Sequence, residues 1–376
     1  MLVCLKRWMK GIQHGIWFLL YSYKEKPPQD EAEVDAEWLY LLEFMKNNKK
    51  VMYNKVNKIP GFEDGYKWVG GVYAGHKMIG ITSGGTDCLV MDLQSNEWSR
   101  AGNISKGAFK WSGGCLWKGK VYGFPRSSNN LLVYDIKNAQ EPQEIPLNLD
   151  YDREHHYGGV CTKQGIVYQP PRSTNTILKI DLNTQKAEEI PICRQKMRFR
   201  YCGSILHPNG LIYMFPEYME RVMVLDPKTD RIYFIGSIIS SMVFGACIGC
   251  DENIYGFSAY AKGILKIDPV KKTSEMICTD QKYGSFGSAL GVNGKILSIP
   301  GGGNAIYEYD VQRQTVRKIG EFEESCPAKC AGSCIMPDGR IICVPAMGRV
   351  MYVLEPDKPV EIPEELLQSK YLNGCY

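Results

Sequence analysis

GSILHPNGLIYMFPEYMERVMVLDPKTDRIYFIG, residues 203–236, decides the fold. A small pair, Gly203-Ser204, opens a short apolar run, and Asn209-Gly210 turns the chain into a second one, LIYMFP. Asn-Gly between two apolar runs is among the strongest short-range signals for a β-hairpin. A third run ends in Asp226 and a fourth, RIYFIG, follows it. The stretch reads as four consecutive antiparallel strands.

The same unit recurs along the chain. Its small pairs are Gly70-Gly71, Gly113-Gly114, Gly158-Gly159, Gly203-Ser204, Gly245-Ala246, Gly287-Ser288 and Gly332-Ser333, spaced 43, 45, 45, 42, 42 and 45 residues apart. The second runs are KMIGIT, KVYGFP, IVYQPP, LIYMFP, NIYGFS, KILSIP and RIICVP. The third runs end in Asp92, Asp135, Asp181, Asp226, Asp268, Asp310 and Glu355. Four strands per unit, seven times over, predict an all-β, seven-bladed β-propeller with four-stranded blades. The blades start near residues 67, 110, 155, 200, 242, 284 and 329.

Each feature of the unit has a physical reading. The small pair opens the innermost strand, where seven strands converge and backbones approach closely. The repeated acid stands where the third strand turns into the fourth, which predicts an Asx-type turn. NKVNKIP at 54–60 resembles the fourth strands QKAEEIP at 185–191 and DKPVEIP at 357–363, yet it precedes the first innermost strand. It is expected to close the ring on the last blade, displacing or flanking residues 359–362. The propeller would then run over 54–366, between a helical extension at 1–53 and a tail at 367–376.

GIVYQPPRSTNTILKIDLNTQKAEEI, residues 165–190, resembles the YVTN-type propeller repeat. MIGITSGGTDCLVMDLQSNEWSRAG, residues 78–102, resembles a kelch blade, with Gly84-Gly85 and Trp98 in the expected places. Both resemblances imply architecture and no single activity.

Ahead of the repeats, Leu5, Trp8, Ile12, Ile16 and Leu19 form one apolar stripe at helical spacing. Three uses fit it: packing on the protein's own body, docking a partner or lying on a membrane surface through residues 1–23, and a mitochondrial-type presequence. The run from Ile16 to Tyr21 is too short for a span, which needs about 17 to 25 residues. A second helix is expected from Asp30 to about Lys49, with Trp38, Leu41, Leu42 and Met45 on its apolar face.

The chain has 376 residues, a net charge of +4 and 14 cysteines. A sequence pI near 8.3 lies below the value of about 9 typical of dedicated nucleic-acid binders, so any anion binding must be local. Many cysteines without a secretory signal point to a reducing, intracellular setting, cytoplasmic first and mitochondrial as the alternative.

The register supplies candidate site residues. Three positions before the small pairs stand Lys67, Lys110, His155, Arg200, Met242, Gly284 and Lys329; two before stand Trp68, Trp111, His156, Tyr201, Val243, Ser285 and Cys330. Arg126 and Arg172, each directly after a proline, belong to the other loop on the same face, and Arg198 lies in RQKMRFRYCGS at 194–204. Blades one to four would thus present a cationic and aromatic arc around the channel mouth, suited to a carboxylate, a phosphate or an acidic peptide. Asp64, Asp152, Glu154, Glu217 and Glu220 lie in neighbouring loops and could instead neutralise it.

Three functions stay open: an interaction module for a protein partner, larger complex or anionic small ligand; a lyase or hydrolase with His155 or His156 as general base; and a structural subunit anchored by the N-terminal helix. Cys326, Cys330 and Cys334 sit four apart and Cys247 and Cys250 form a Cys-x-x-Cys, but zinc normally takes two such pairs, and Cys115, Cys247 and Cys334 share one place in the innermost strand as small buried side chains, so no metal and no cofactor is expected.

Overall fold

The computed structural model describes residues 35–63, 65–138, 141–192, 200–217, 220–322 and 325–373. The apolar stripe over residues 5–19 lies outside them.

The described residues form seven four-stranded antiparallel sheets, each with its strands in chain order, arranged as the blades of a propeller. We letter the strands a to d from the axis outward. The last blade differs, because its outer strand is Tyr53–Pro60 from the start of the chain. That strand pairs along Val350–Pro356, with Val56 opposite Leu354, and closes the ring. Residues 357–363 form no strand. Pro359 and Pro363 have no N–H to donate to a ladder. Val360 and Ile362 instead donate to Asp338 O and Pro337 O under the blade.

The repeated acid makes the turn between strands c and d. Asp92 Oδ1 accepts from the N–H groups of Gln94 and Ser95, and Asp135, Asp181, Asp226, Asp268 and Asp310 take equivalent donors. Blade seven has no such turn. Its acid, Glu355, binds Lys55 and Asn57 of the closing strand instead.

Close approach explains the small pairs. A Cβ on Gly114 would lie 2.4 Å from Tyr122 O. One on Gly203, whose φ is +93°, would lie 2.3 Å from Phe244 O of the next blade.

On the opposite side to the strand b–c loops, helices cover the ring. Helix α1, Ala36–Asn48, is capped by Asp35, whose side chain accepts the Glu37 N–H; residues 30–34 of the expected helix lie outside those described. Its buried face, Trp38, Leu41 and Met45, rests on the propeller, and Trp38 packs edge-on against Tyr371 at 5.5 Å. The expected tail is folded too. Helices α2, Glu364–Leu367, and α3, Lys370–Asn373, complete this cap. Asp35 ties helix α1 to blade three through Lys163 (2.9 Å) and to helix α3 through Tyr371 (2.7 Å) and Lys370 (3.4 Å). Among the described residues, no helix is long and apolar enough to cross a membrane.

Candidate binding site at the channel mouth

The face opposite the helical cap is organised by the backbone. The residue three before each small pair accepts, through its carbonyl, the N–H at the end of strand b in its own blade. Examples are Ser83 to Lys67, Arg126 to Lys110, Arg172 to His155, Glu217 to Arg200 and Ala346 to Lys329. In several blades its N–H also donates to the preceding blade, as from Lys67 to Ala346 O (2.8 Å) and from His155 to Arg126 O (3.0 Å). This girdle of hydrogen bonds fixes where every side chain of the mouth can point.

It turns most of the expected arc inward. Lys67, Lys110 and Lys329 are buried, and each ammonium reaches into a loop of the preceding blade. Lys67 Nζ donates to Gly348 O (3.1 Å) as well as to Glu63 O and Gly65 O, Lys110 Nζ to Gly85 O (2.6 Å) and Ser105 O, and Lys329 Nζ to Asn304 Oδ1 (3.2 Å). These lysines staple blades together. Lys110→Met is therefore expected to cost about 1–2 kcal/mol in urea unfolding, because a buried charged donor and its bonds to the Gly85 and Ser105 carbonyls are lost.

The rings two before the small pairs are buried as well, and each bonds a carbonyl near the start of strand c in its own blade. Trp68 donates to Asp87 O (3.0 Å), Trp111 to Asn130 O (2.7 Å) and Tyr201 to Arg221 O (2.7 Å). His156 occupies the same place. A carbonyl can only accept, so Nε2–H donates to Thr176 O (3.0 Å) and Nδ1 accepts the Tyr151 hydroxyl (2.7 Å). Both ring nitrogens are engaged in hydrogen bonds inside the fold. The expected aromatic rim of Trp68, Trp111, His156 and Tyr201 is corrected to a set of internal braces.

Burial pushes the His156 pKa down to about 3, with Thr176 opposing and His155 adding to the fall. An unfolded histidine titrates near 6.5, so the unfolded chain gains a proton that the native state refuses. This contribution is intact above about pH 6.5 and is lost as pH falls toward 3. Urea midpoints at pH 7 and pH 4.5 should differ less in His156→Gln than in the parent protein.

The residue directly before the small pair faces the axis instead. Val69, Tyr157, Cys202, Phe244, Phe286 and Ala331, from six blades, meet in one buried cluster with Ala259, Ala328 and Ala346. Tyr157 lies 5.6 Å from Phe244, and Phe244 lies 4.7 Å from Phe286. This floor fills the mouth, and Tyr260 stands 62% exposed beside it, 6.1 Å from Phe286.

Two of the named cations border that floor. Arg126 and Arg172 stack on Tyr157 at 4.5 and 4.9 Å, and Arg126 also lies 4.4 Å over Phe109. Glu154 Oε2 accepts from Arg126 Nε (3.0 Å) and Nη2 (2.8 Å) and stands 2.7 Å from Arg172 Nε. Arg172 Nη1 is 3.3 Å from Glu217 Oε2, and Arg126 Nη1 donates to Tyr66 Oη at 3.3 Å. Burial alone would pull the Arg126 pKa down, but Tyr157, Tyr66 and Glu154 hold it above its ordinary value. Both guanidiniums stay charged.

His155 is half-buried, stacks on Tyr151 at 4.2 Å and faces Asp152 at 3.2 Å; Arg200 is exposed. Arg198 lies outside the described residues. The structure thus brings together Arg126 and Arg172, with Glu154 between them, and separates them from Lys67, Lys110 and the braces. Tyr157, Phe244 and Phe286, each directly before a small pair, were missed by one residue of register, and that repeated place was the signal that could have found them. Tyr260, in the strand b–c loop of blade five, was missed as well. Among the described residues, no group of three or more His, Cys, Asp or Glu is placed to hold a metal ion.

Fold and mouth together define a seven-bladed propeller with an arginine-walled, aromatic-floored axial site. No protein-family model matches the chain, and no curated protein does. Solved structures that it resembles include a streptogramin B lyase, at TM-score 0.68 and 13% identity over 81% of this chain and 99% of that one. Another is a catalytically inactive virginiamycin B lyase from Staphylococcus aureus with quinupristin, at TM-score 0.66 and 13% identity over 80% and 99% of the two chains. A chain of a mitotic checkpoint complex matches at TM-score 0.60 and 12% identity over 88% and 97%. At these identities the likeness is one of fold.

Proposed function

We propose that this protein is a non-catalytic interaction propeller that binds an anionic group of a protein partner at the channel mouth. The observation that carries the reading is the convergence of Arg126 and Arg172 on one point above the Tyr157 ring. Guanidiniums held against aromatic faces are preorganised for carboxylate, so little rotamer freedom is lost on binding. The neighbouring floor offers an adjacent apolar group a place to pack. Propellers serve both as enzymes and as members of protein assemblies, as the lyases and the checkpoint complex illustrate, so the site must decide.

The lyase or hydrolase reading is weakened at its own residue. His156 is fully buried with both nitrogens hydrogen-bonded inside the fold, so the reading rests on His155, whose Nε2 faces Asp152 at 3.2 Å. Anchoring by the N-terminal helix concerns residues outside those described.

The test is a comparison of the proteins captured from the native source by the parent chain and by Arg126→Met/Arg172→Met, quantified by mass spectrometry. Loss of a partner from the double variant but not from Lys110→Met is expected. An unchanged set of partners would overturn the reading.

A further inference from the structure

We infer that Glu154 is a built-in occupant of the arginine clamp, and that the true ligand is an acidic peptide side chain whose carboxylate displaces it. This rests on the mouth being the binding site, as proposed above.

The geometry of the clamp is that of a site filled by a substitute. A carboxylate that fits a guanidinium meets it with two oxygens and two parallel N–H bonds. Glu154 does not. Its single oxygen Oε2 accepts both Nε and Nη2 of Arg126 and is also the atom nearest Arg172. Arg172 Nη1 is buried without a hydrogen-bond partner among the described residues; Glu217 Oε2 is near it but off its N–H direction. Ser83, which holds the blade-one position that Arg126 and Arg172 hold in blades two and three, likewise has a buried hydroxyl with no hydrogen-bond partner among the described residues. Among those residues, donors remain at the mouth that no acceptor takes up.

Charge balance then says how a ligand enters. Among the described residues, two arginines face two carboxylates, Glu154 and Glu217, so the cluster they form is neutral as it stands. A further carboxylate would leave it with net negative charge in a half-buried place, which is unfavourable unless one glutamate departs. Glu217 has 8% of its side chain exposed, whereas Glu154 has 26% and lies at the rim. Glu154 is the one that can leave. Its backbone need not follow, because the Ser173 hydroxyl holds its carbonyl and the His155 N–H is fixed to Arg126 O. Exchange requires a side-chain rotation only.

The surroundings favour a peptide over a bare anion. Tyr157, Phe244 and Phe286 form an apolar floor next to the clamp, and the exposed Tyr260 beside it is placed to cover an extended segment. An acidic residue followed by an apolar one matches this pairing of charge and surface. Inorganic phosphate has the charge but nothing for the floor.

Titration calorimetry with acetyl-(Glu)6-Phe-amide, and separately with inorganic phosphate, tests the inference on the full chain. Glu154→Gln keeps the volume and an acceptor oxygen while removing the competing charge. It should bind the peptide about tenfold more tightly than the parent, as expected for release of a half-buried ion pair. Glu154→Ala should show the same gain if the Gln variant does not fold. In the Glu154→Gln background, Arg172→Met should abolish the gain. Equal or weaker peptide binding by both Glu154 variants would overturn the occupant role. Phosphate binding tighter than peptide would overturn the ligand class. If the Glu154 variants gain nothing while Arg126→Met/Arg172→Met still loses its native partner, the mouth is the site and only the displacement is wrong.

Discussion

Tyr53→Ala is expected to destabilise the protein by about 3–5 kcal/mol, the range for removing a large buried aromatic side chain. Tyr53 opens the closing strand and is fully buried. Its hydroxyl donates to Gly339 O at 2.7 Å and accepts from Val292 N–H at 3.4 Å, and its carbonyl accepts from Arg317 Nη2 at 2.7 Å. One residue therefore joins the closing strand to blades six and seven. The last blade takes its outer strand from the start of the propeller, so loss of this anchor acts on the closure of the ring. Urea unfolding against Lys58→Ala, an exposed position on the same strand that should shift stability by no more than about 0.5 kcal/mol, gives the comparison. Equal effects from the two substitutions would contradict closure at this point.

Arg126→Ala is the second large effect. Breaking a buried ion pair costs about 3–5 kcal/mol because a charge is left unpaired. Glu154 is partly exposed and keeps Arg172 as a neighbour, which lowers the expectation to about 2–3 kcal/mol. Part of that is packing, since the guanidinium lies between Phe109 and Tyr157. Arg126→Met, which restores apolar volume, should cost less. Matching urea midpoints for the two variants would mean that the stacking contributes nothing.

How far these features could be read from sequence depends on how local their causes are. The blades were legible because each is one continuous run of four strands with its own turns, repeated at nearly constant spacing. The closing strand was legible because NKVNKIP looks like a fourth strand and has no blade of its own to belong to. The mouth was less legible. Lys67 looks like a rim cation, yet one of its acceptors, Gly348 O, lies 281 residues away in a neighbouring blade. A long flexible side chain can fold back onto backbone carbonyls, and nothing adjacent in sequence shows that it does. The aromatic positions failed for a different reason. The register breaks between these residues and the small pair, as between Trp68 and Gly71, Trp111 and Gly114, and Tyr201 and Ser204, so the residue that turns inward and the residue that faces the axis are not assigned by simple alternation. Arg126 and Arg172 escaped that error because they follow strand b, where the girdle holds them at the mouth.

The direct test of the account is the location of a partner on the native complex, by cross-linking mass spectrometry or electron microscopy. Contacts should fall on the Arg126 and Arg172 loops and on Tyr260, with the helical cap of α1, α2 and α3 left uncovered. A partner seated on that cap or on the outer strands, making no contact with the Arg126 and Arg172 loops or with Tyr260, would contradict it.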